Sequence, residues 1–177
     1  MRMRRKRNLE PRMEACGAIL VARGKPCKNL KEAAESYRFL IDYSALFGRT
    51  APVELEVGCG NGAFVAELAK RRSGCDFLAV EVCTNVILTA MERVMEEGIP
   101  NVKFLNIAAE ILPCYIPEGS IDRIYLNFST PLPEAGREKQ RLTSDRFLAI
   151  YKKLLKSGGE IIQKTDSEPV FDYSLAK

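Results

Sequence analysis

Along these 177 residues, short apolar runs alternate with stretches whose apolar positions recur at helical spacing. Val53–Val57, Phe77–Val80, Val102–Ile107, Ile121–Phe128 and Glu160–Lys164 predict five strands. A helix is predicted from Asn61 with Phe64, Val65 and Leu68 inward, and another from Thr84 with Ile87, Met91, Val94 and Met95 inward. Leu142–Leu155 predicts a third, closed by Ser157-Gly158-Gly159. Ahead of the first strand, Asn29 and Glu32 form a capping box that opens a helix carrying Leu30, Ala33, Tyr37, Leu40, Ile41 and Leu46, with Gly48 as its stop. Regular alternation of this kind implies an α/β fold, a parallel sheet with helices on both faces. Residues 1–28 lack a strong period, so the expected organisation is an arm, 1–28, and a single domain, 29–177.

Charge sharpens that division. The formal net charge is +4, yet residues 1–7 alone carry five positive groups; of the 27 basic residues, the other 22 face 23 acidic ones. The basic character is therefore local. A short basic arm beside a folded body adds affinity for nucleic-acid phosphate without sequence selectivity, although a terminal charge run is also compatible with a solvated tail. The six cysteines show no Cys-x-x-Cys spacing and the chain has no His, so neither a zinc site nor a redox pair is expected. Reduced thiols in a cytoplasmic protein are the expectation. The apolar stretch Ala15–Ala22 makes a poor signal peptide, and no run approaches the ~20 apolar residues that span a bilayer.

The candidate chemistry begins at Glu56-Val-Gly-Cys-Gly-Asn-Gly62, between the first predicted strand and helix, with Glu81 closing the next strand. Strand, glycine turn, helix and distal acid are the parts by which a doubly wound sheet holds a nucleoside cofactor. Gly58, Gly60 and Ala63 also satisfy the G-x-G-x-x-G/A pattern of dinucleotide binders. Glu56 separates the two readings, because a pyrophosphate on the helix start is disfavoured by a neighbouring negative charge. S-adenosylmethionine, with an ammonium, a sulfonium and no phosphate, suits such a site; an NAD-dependent oxidoreductase is the weaker alternative. Glu81 can accept both ribose hydroxyls in either case. An ordinary tight turn with an exposed strand-end Glu would explain each residue singly, though not their order.

Farther along stand Tyr-Leu-Asn-Phe-Ser-Thr-Pro (125–131), Lys-x-Arg-Leu-Thr (139–143), Arg-Leu-Thr-Ser-Asp-Arg-Phe-Leu (141–148), and Lys-Thr-Asp (164–166) with Phe-Asp-Tyr-Ser-Leu (171–175). With Met-Arg-Met-Arg-Arg-Lys at the start, Ala-Val-Glu-Val and Asn-Val-Lys-Phe-Leu-Asn-Ile-Ala-Ala, they make the chain from Met1 to about Tyr173 resemble the bacterial tRNA (guanine-N7)-methyltransferases. The resemblance implies a Rossmann-like class I methyltransferase sheet, S-adenosylmethionine as cofactor, tRNA as partner and 7-methylguanosine as product. It puts Glu56 and Glu81 on the cofactor, Gly58 and Gly60 around its pocket, a further contact at Ala108 where relatives commonly have Asp, and tRNA against Asp166.

Departures from the family pattern concentrate in one loop. Thr130 stands where the family has the acid regarded as catalytic, Leu132 where it has an aromatic, and Glu134 where it has its first basic residue. Arg137, Lys139 and Arg141 remain as basic substrate-binding candidates. The family's final strands and a Thr-x-x-Glu segment are not in this sequence, which implies a fifth strand with an open edge. Because guanine N7 offers an in-plane lone pair and no proton, its methylation needs alignment rather than a general base. A non-catalytic S-adenosylmethionine- or RNA-binding paralogue stays as the other reading, since Thr130 replaces a carboxylate that would stabilise the developing positive charge.

Overall fold

A computed structural model describes residues 5–24, 39–132 and 134–177. Six parallel strands form one sheet: β1 (Leu20–Arg23), β2 (Val53–Val57), β3 (Asp76–Val80), β4 (Val102–Asn106), β5 (Ile121–Asn127) and β6 (Leu155–Lys164), in the spatial order β1-β4-β3-β2-β5-β6. The helices are α1 (Leu9–Ala15), α2 (Tyr43–Phe47), α3 (Ala63–Arg71), α4 (Thr84–Glu96), α5 (Asp145–Leu154) and α6 (Glu168–Leu175), with 3-10 segments at Ala109–Cys114 and Ala135–Gln140. From β2 the chain winds outward through β3 and β4, then returns to lay β5 on the other flank of β2. The strand order reverses there, and a crevice opens at the carboxyl ends of β2 and β5, where open α/β sheets bind ligands.

The sheet separates two cores. Val53, Leu55 and Val57 point to one face, packed with Leu105, Ile124, Phe147 and Tyr151. On the other face α1, α3 and α4 bury Met13, Val65, Ala69, Ile87 and Met91 against Phe77 and Phe104. The remaining positions of β2 are acids, both almost wholly buried. Glu54 is compensated: the Tyr125 hydroxyl donates to it at 2.8 Å, Arg72 pairs with it at 2.8 Å and Arg123 stands at 3.9 Å. A buried carboxylate in this setting depends on such partners, and removing one is strongly destabilising.

Several boundaries differ from those the sequence suggests. Part of the expected arm belongs to the body, since α1 enters the second core and β1 pairs with β4, giving six strands among the described residues where five were expected. Of the helix expected from Asn29, residues 29–38 lie outside the described residues; the visible part is only α2, capped by Asp42 accepting from the Ala45 amide at 3.1 Å and stopped by Gly48. α3 begins at Ala63, not Asn61, because Gly62 adopts φ 75°. Phe64 turns outward, 36 % exposed and tilted against the Tyr125 ring at 5.2 Å, and Ala66 and Ala69 take the buried places. Met95 is likewise exposed, with Leu88 and Ala90 inside. α5 starts three residues late, at Asp145, and runs into β6 with no intervening loop. Ser157, Gly158 and Gly159 do not end the helix; they form an irregularity in β6, whose Leu155 pairs with Ile121 and whose Glu160 pairs with Arg123. β6 is the edge strand on that flank, and Ile161 and Ile162 are 37 % and 41 % exposed.

Candidate functional site

The turn after β2 is stitched to the end of β3. The amides of Gly58 and Cys59 both donate to the Val80 carbonyl, at 2.8 and 2.9 Å. Gly62 serves packing: a Cβ there would stand 2.6 Å from the Ala90 Cβ, so α3 and α4 touch at this point with no room for a side chain. Gly58, at φ 79°, keeps its side-chain space clear except for Leu142 at 3.8 Å.

Glu81, half-buried at the end of β3, bridges the starts of both helices. Its Oε2 accepts from the Gly60 amide at 3.3 Å and its Oε1 from the Cys83 amide at 2.8 Å. Behind it Asn106 fixes the backbone, donating from Nδ2 to the carbonyls of Glu81 (2.8 Å) and Val82 (3.2 Å) and accepting from the Thr84 hydroxyl at 2.9 Å. Glu81 is therefore held by the fold and not by its own torsions.

At this rim lies a cavity of about 350 Å³, lined by Gly58, Glu81, Ala108 and Glu110, with Val82 and Leu142 among its apolar lining. A cavity of this size suits a nucleoside-sized ligand. A larger depression of about 490 Å³ lies at the opposite end of the sheet, beside Asp76 and Asn101. Its charged groups are already paired, Arg49 with Asp76 and Lys70 with Glu97, both at 2.6 Å. The site expected of an open α/β sheet is the smaller one.

Glu56 does not line that cavity. It lies beneath the glycine turn, on the opposite side of β2 from Val57, and is 3 % exposed. Asn127 of β5 donates to its Oε1 at 3.1 Å across the point where the strand order reverses, and its Oε2 has no partner. Burial pushes its pKa up from 4.5 to about 7, with the Asn127 amide and the Val65 backbone amide pulling the other way. The Cys59 thiol beside it is pushed up by burial too, so it is not an activated nucleophile. Of the residues singled out from the sequence, Gly58, Glu81 and Ala108 meet at the cavity; Glu56 and Gly60 stand behind its wall.

Beyond β5 the chain turns at Phe128 (φ 47°) into the loop of the remaining candidates. Thr130 is exposed, and Glu134 pairs loosely with Arg137 at 3.9 Å. Lys139 is exposed, and Asp166 is exposed between β6 and α6. Arg141 turns inward, donating from Nε to the Leu132 carbonyl at 3.0 Å with its guanidinium 4.4 Å from the Tyr173 ring centre. Tyr173 donates to Glu138 at 3.0 Å, and the Ser174 hydroxyl donates to Thr143 at 2.9 Å. α6 thereby clasps the loop, and the loop's end delivers Gln140 and Leu142 to the cavity. Gln140, Leu142, Val82 and Glu110 were not among the sequence candidates. Only Val82 and Glu110 had a usable signal, each lying just past a strand's carboxyl end.

Residues 50–177 match the family model described as "Putative methyltransferase". A tRNA (guanine-N(7)-)-methyltransferase from Geobacillus sp. (strain WCH70) is 41 % identical over 133 residues, which are 75 % of this chain and 60 % of that protein. The chain thus spans about three-fifths of the length of that relative. Among solved structures, an rRNA methylase from Streptococcus thermophilus superposes with TM-score 0.54 at 19 % identity, over 72 % of this chain and 70 % of the other. Phosphoethanolamine N-methyltransferase 2 from Haemonchus contortus, solved with S-adenosyl-L-methionine, gives 0.52 at 22 % identity over 72 % and 29 %. The two structures share the fold; with the family match across most of its length, the chain belongs to this methyltransferase family.

Proposed function

We propose that this chain transfers a methyl group from S-adenosylmethionine to N7 of a guanine in tRNA. One observation carries the reading: a rim cavity faced by a glycine turn and a carboxylate, Glu81, whose position is fixed by two backbone amides. The residues fit the cofactor. Gly58 leaves space at the turn, and Glu81 can accept from ribose hydroxyls. Bound S-adenosylmethionine supplies a methyl group on a positive sulfur, ready for attack by a lone pair. The protein's part is alignment and exclusion of water, worth up to about 7–11 kcal/mol of barrier when the reacting atoms are well oriented. Leu142 and Gln140 bring the substrate loop to the cavity wall, so guanine held by that loop would reach the cavity from the side of β5.

Basic groups are exposed on the loop that reaches the cavity, and another is fixed on α4. Lys6 is tied to the first turns of α4, its amide donating to Asn85 at 3.2 Å and its ammonium donating to the Thr89 hydroxyl. Arg137 and Lys139 stand exposed on the loop after β5. Together they suit a phosphate backbone crossing the rim. A non-catalytic S-adenosylmethionine- or RNA-binding paralogue is the second reading, favoured by the neutral Thr130 and by Glu134 among the basic loop residues. Incubating unmodified tRNA with the protein and S-adenosylmethionine, followed by nucleoside mass analysis, distinguishes the two. Appearance of 7-methylguanosine supports transfer; saturable cofactor binding without product supports the paralogue.

A further inference from the structure

The depression of about 490 Å³ at the amino-terminal end of the sheet contains an acceptor that its ion pairs leave unused. Asp76, at the start of β3, lines it and is 1 % exposed. Arg49 donates to Asp76 Oδ1 from both Nε (2.9 Å) and Nη2 (2.6 Å), and Nη2 is shared with the Cys75 carbonyl at 3.0 Å. The second oxygen, Oδ2, is buried and makes no hydrogen bond. A buried carboxylate oxygen without a donor is costly, and it calls for a partner that the folded chain itself does not supply.

The surroundings narrow the chemistry of that partner. The carboxyl ends of α3 and α4 border the cavity through Lys70 and through Glu97 with Gly98, and helix ends of this polarity favour positive charge. Glu97 is 32 % exposed; Lys70 holds one of its oxygens at 2.6 Å, and Arg93 stands 3.8 Å from the other. Phe47, Ala69, Ile99 and Pro100 supply an apolar wall. Asn101 offers Oδ2 no donor, because its Nδ2 already donates to the carbonyls of Ala69 (3.1 Å) and Cys75 (2.8 Å). Among the described residues no set of three or more His, Cys, Asp or Glu is grouped to hold a metal ion, so a bare cation lacks its ligands here. One free acceptor beside an apolar wall suits a single N–H donor carried on a hydrocarbon body.

We propose that this cavity is a second small-molecule site, remote from the rim, which takes a protonated primary amine on an apolar body, the ammonium donating to Asp76 Oδ2. Arg49 and Lys70 each neutralise one carboxylate, so the preference for a cation comes from the two helix ends and from the directed, unshared oxygen. The volume suits a compact ligand of this kind. This site stands independently of the methyl-transfer reading.

The test is a heteronuclear NMR titration of the full chain with phenethylammonium, beside 2-phenylethanol as a neutral probe of similar shape and 3-phenylpropionate as an anionic one. The amine should give saturable shifts at the amides of Ser73, Asp76, Gly98 and Asn101 and bind at least about tenfold more tightly than the alcohol; the anion should give none. Asp76→Asn keeps an oxygen for Arg49 and turns an amide donor toward the ligand, so the amine should lose its advantage over the alcohol. Glu97→Gln, at a partly exposed position, should keep the fold and weaken the amine while leaving the alcohol unchanged. Absence of saturable shifts in the wild type overturns the site, as do shifts confined to the rim around Gly60 and Cys83. Equal binding of amine and alcohol overturns the assignment to Asp76, as does an unaltered preference in Asp76→Asn. If that variant fails to fold, Glu97→Gln decides, and an undiminished preference for the amine there overturns the proposal.

Discussion

Replacing Glu56 by Gln should make the protein more stable at alkaline pH. The carboxyl is buried, Asn127 donates to one oxygen with the Val65 amide nearby, and the other oxygen makes no hydrogen bond. Its rise from 4.5 to about 7 on folding corresponds to about 3 kcal/mol between the two protonation states. The folded protein holds this proton more tightly than the unfolded chain does. The stabilisation is thus complete below about pH 4.5 and is lost as pH climbs through about 7. Gln is isosteric, still accepts from Asn127 and carries no charge to desolvate. Urea unfolding from pH 5 to 8.5 should show the variant's advantage growing by about 2–3 kcal/mol over that interval. A difference between the two proteins that stays flat with pH would refute the claim that Glu56 is buried without adequate compensation.

Other expectations are simpler. Gly62→Ala combines a left-handed backbone, about 1–2 kcal/mol, with a methyl driven into Ala90, about 1–3 kcal/mol; thermal unfolding should show the loss, and adding Ala90→Gly should restore only part of it, because the Ala90 Cα would still stand 2.9 Å from the new Cβ. Glu81→Gln should weaken S-adenosylhomocysteine binding by roughly tenfold or more in calorimetry while leaving the fold intact, since the amide can offer only one accepting oxygen. Thr130→Asp should raise methyl incorporation into tRNA, measured with a tritiated methyl donor; an unchanged rate would show that the loop acid is not what this site lacks.

How far the sequence could be read depended on whether a signal was local. The five interior-to-edge strands β2–β6 carry their own apolar runs, and the glycine turn with Glu81 is a local pattern whose geometry follows from its residues. β1 escaped because four residues give no period, and it exists only because β4 offers it a partner. Ser157-Gly158-Gly159 read as a helix stop since glycine most often ends helices, yet the chain spends those residues on an irregular β6 pairing. Phe64 has the right spacing for a core residue, but the sheet face under α3 is occupied by Glu54, Glu56 and Tyr125, which leaves the ring at the margin. Gln140 and Leu142 reach the cavity through a clasp between loop and α6 that joins residues more than thirty positions apart. No window of sequence contains that information.

The contact between Gly62 and Ala90 has a mechanical consequence. With no gap at this seam, α3 and α4 cannot slide past one another, and the elements they begin from, the glycine turn and the Glu81 corner, must shift as a single block. Any gating of the pocket is then the business of its other lining segments, the 3-10 turn that carries Glu110 and the loop end that carries Gln140 and Leu142. Hydrogen exchange should register this asymmetry as slow amides along the seam and faster ones from residue 134 to residue 142.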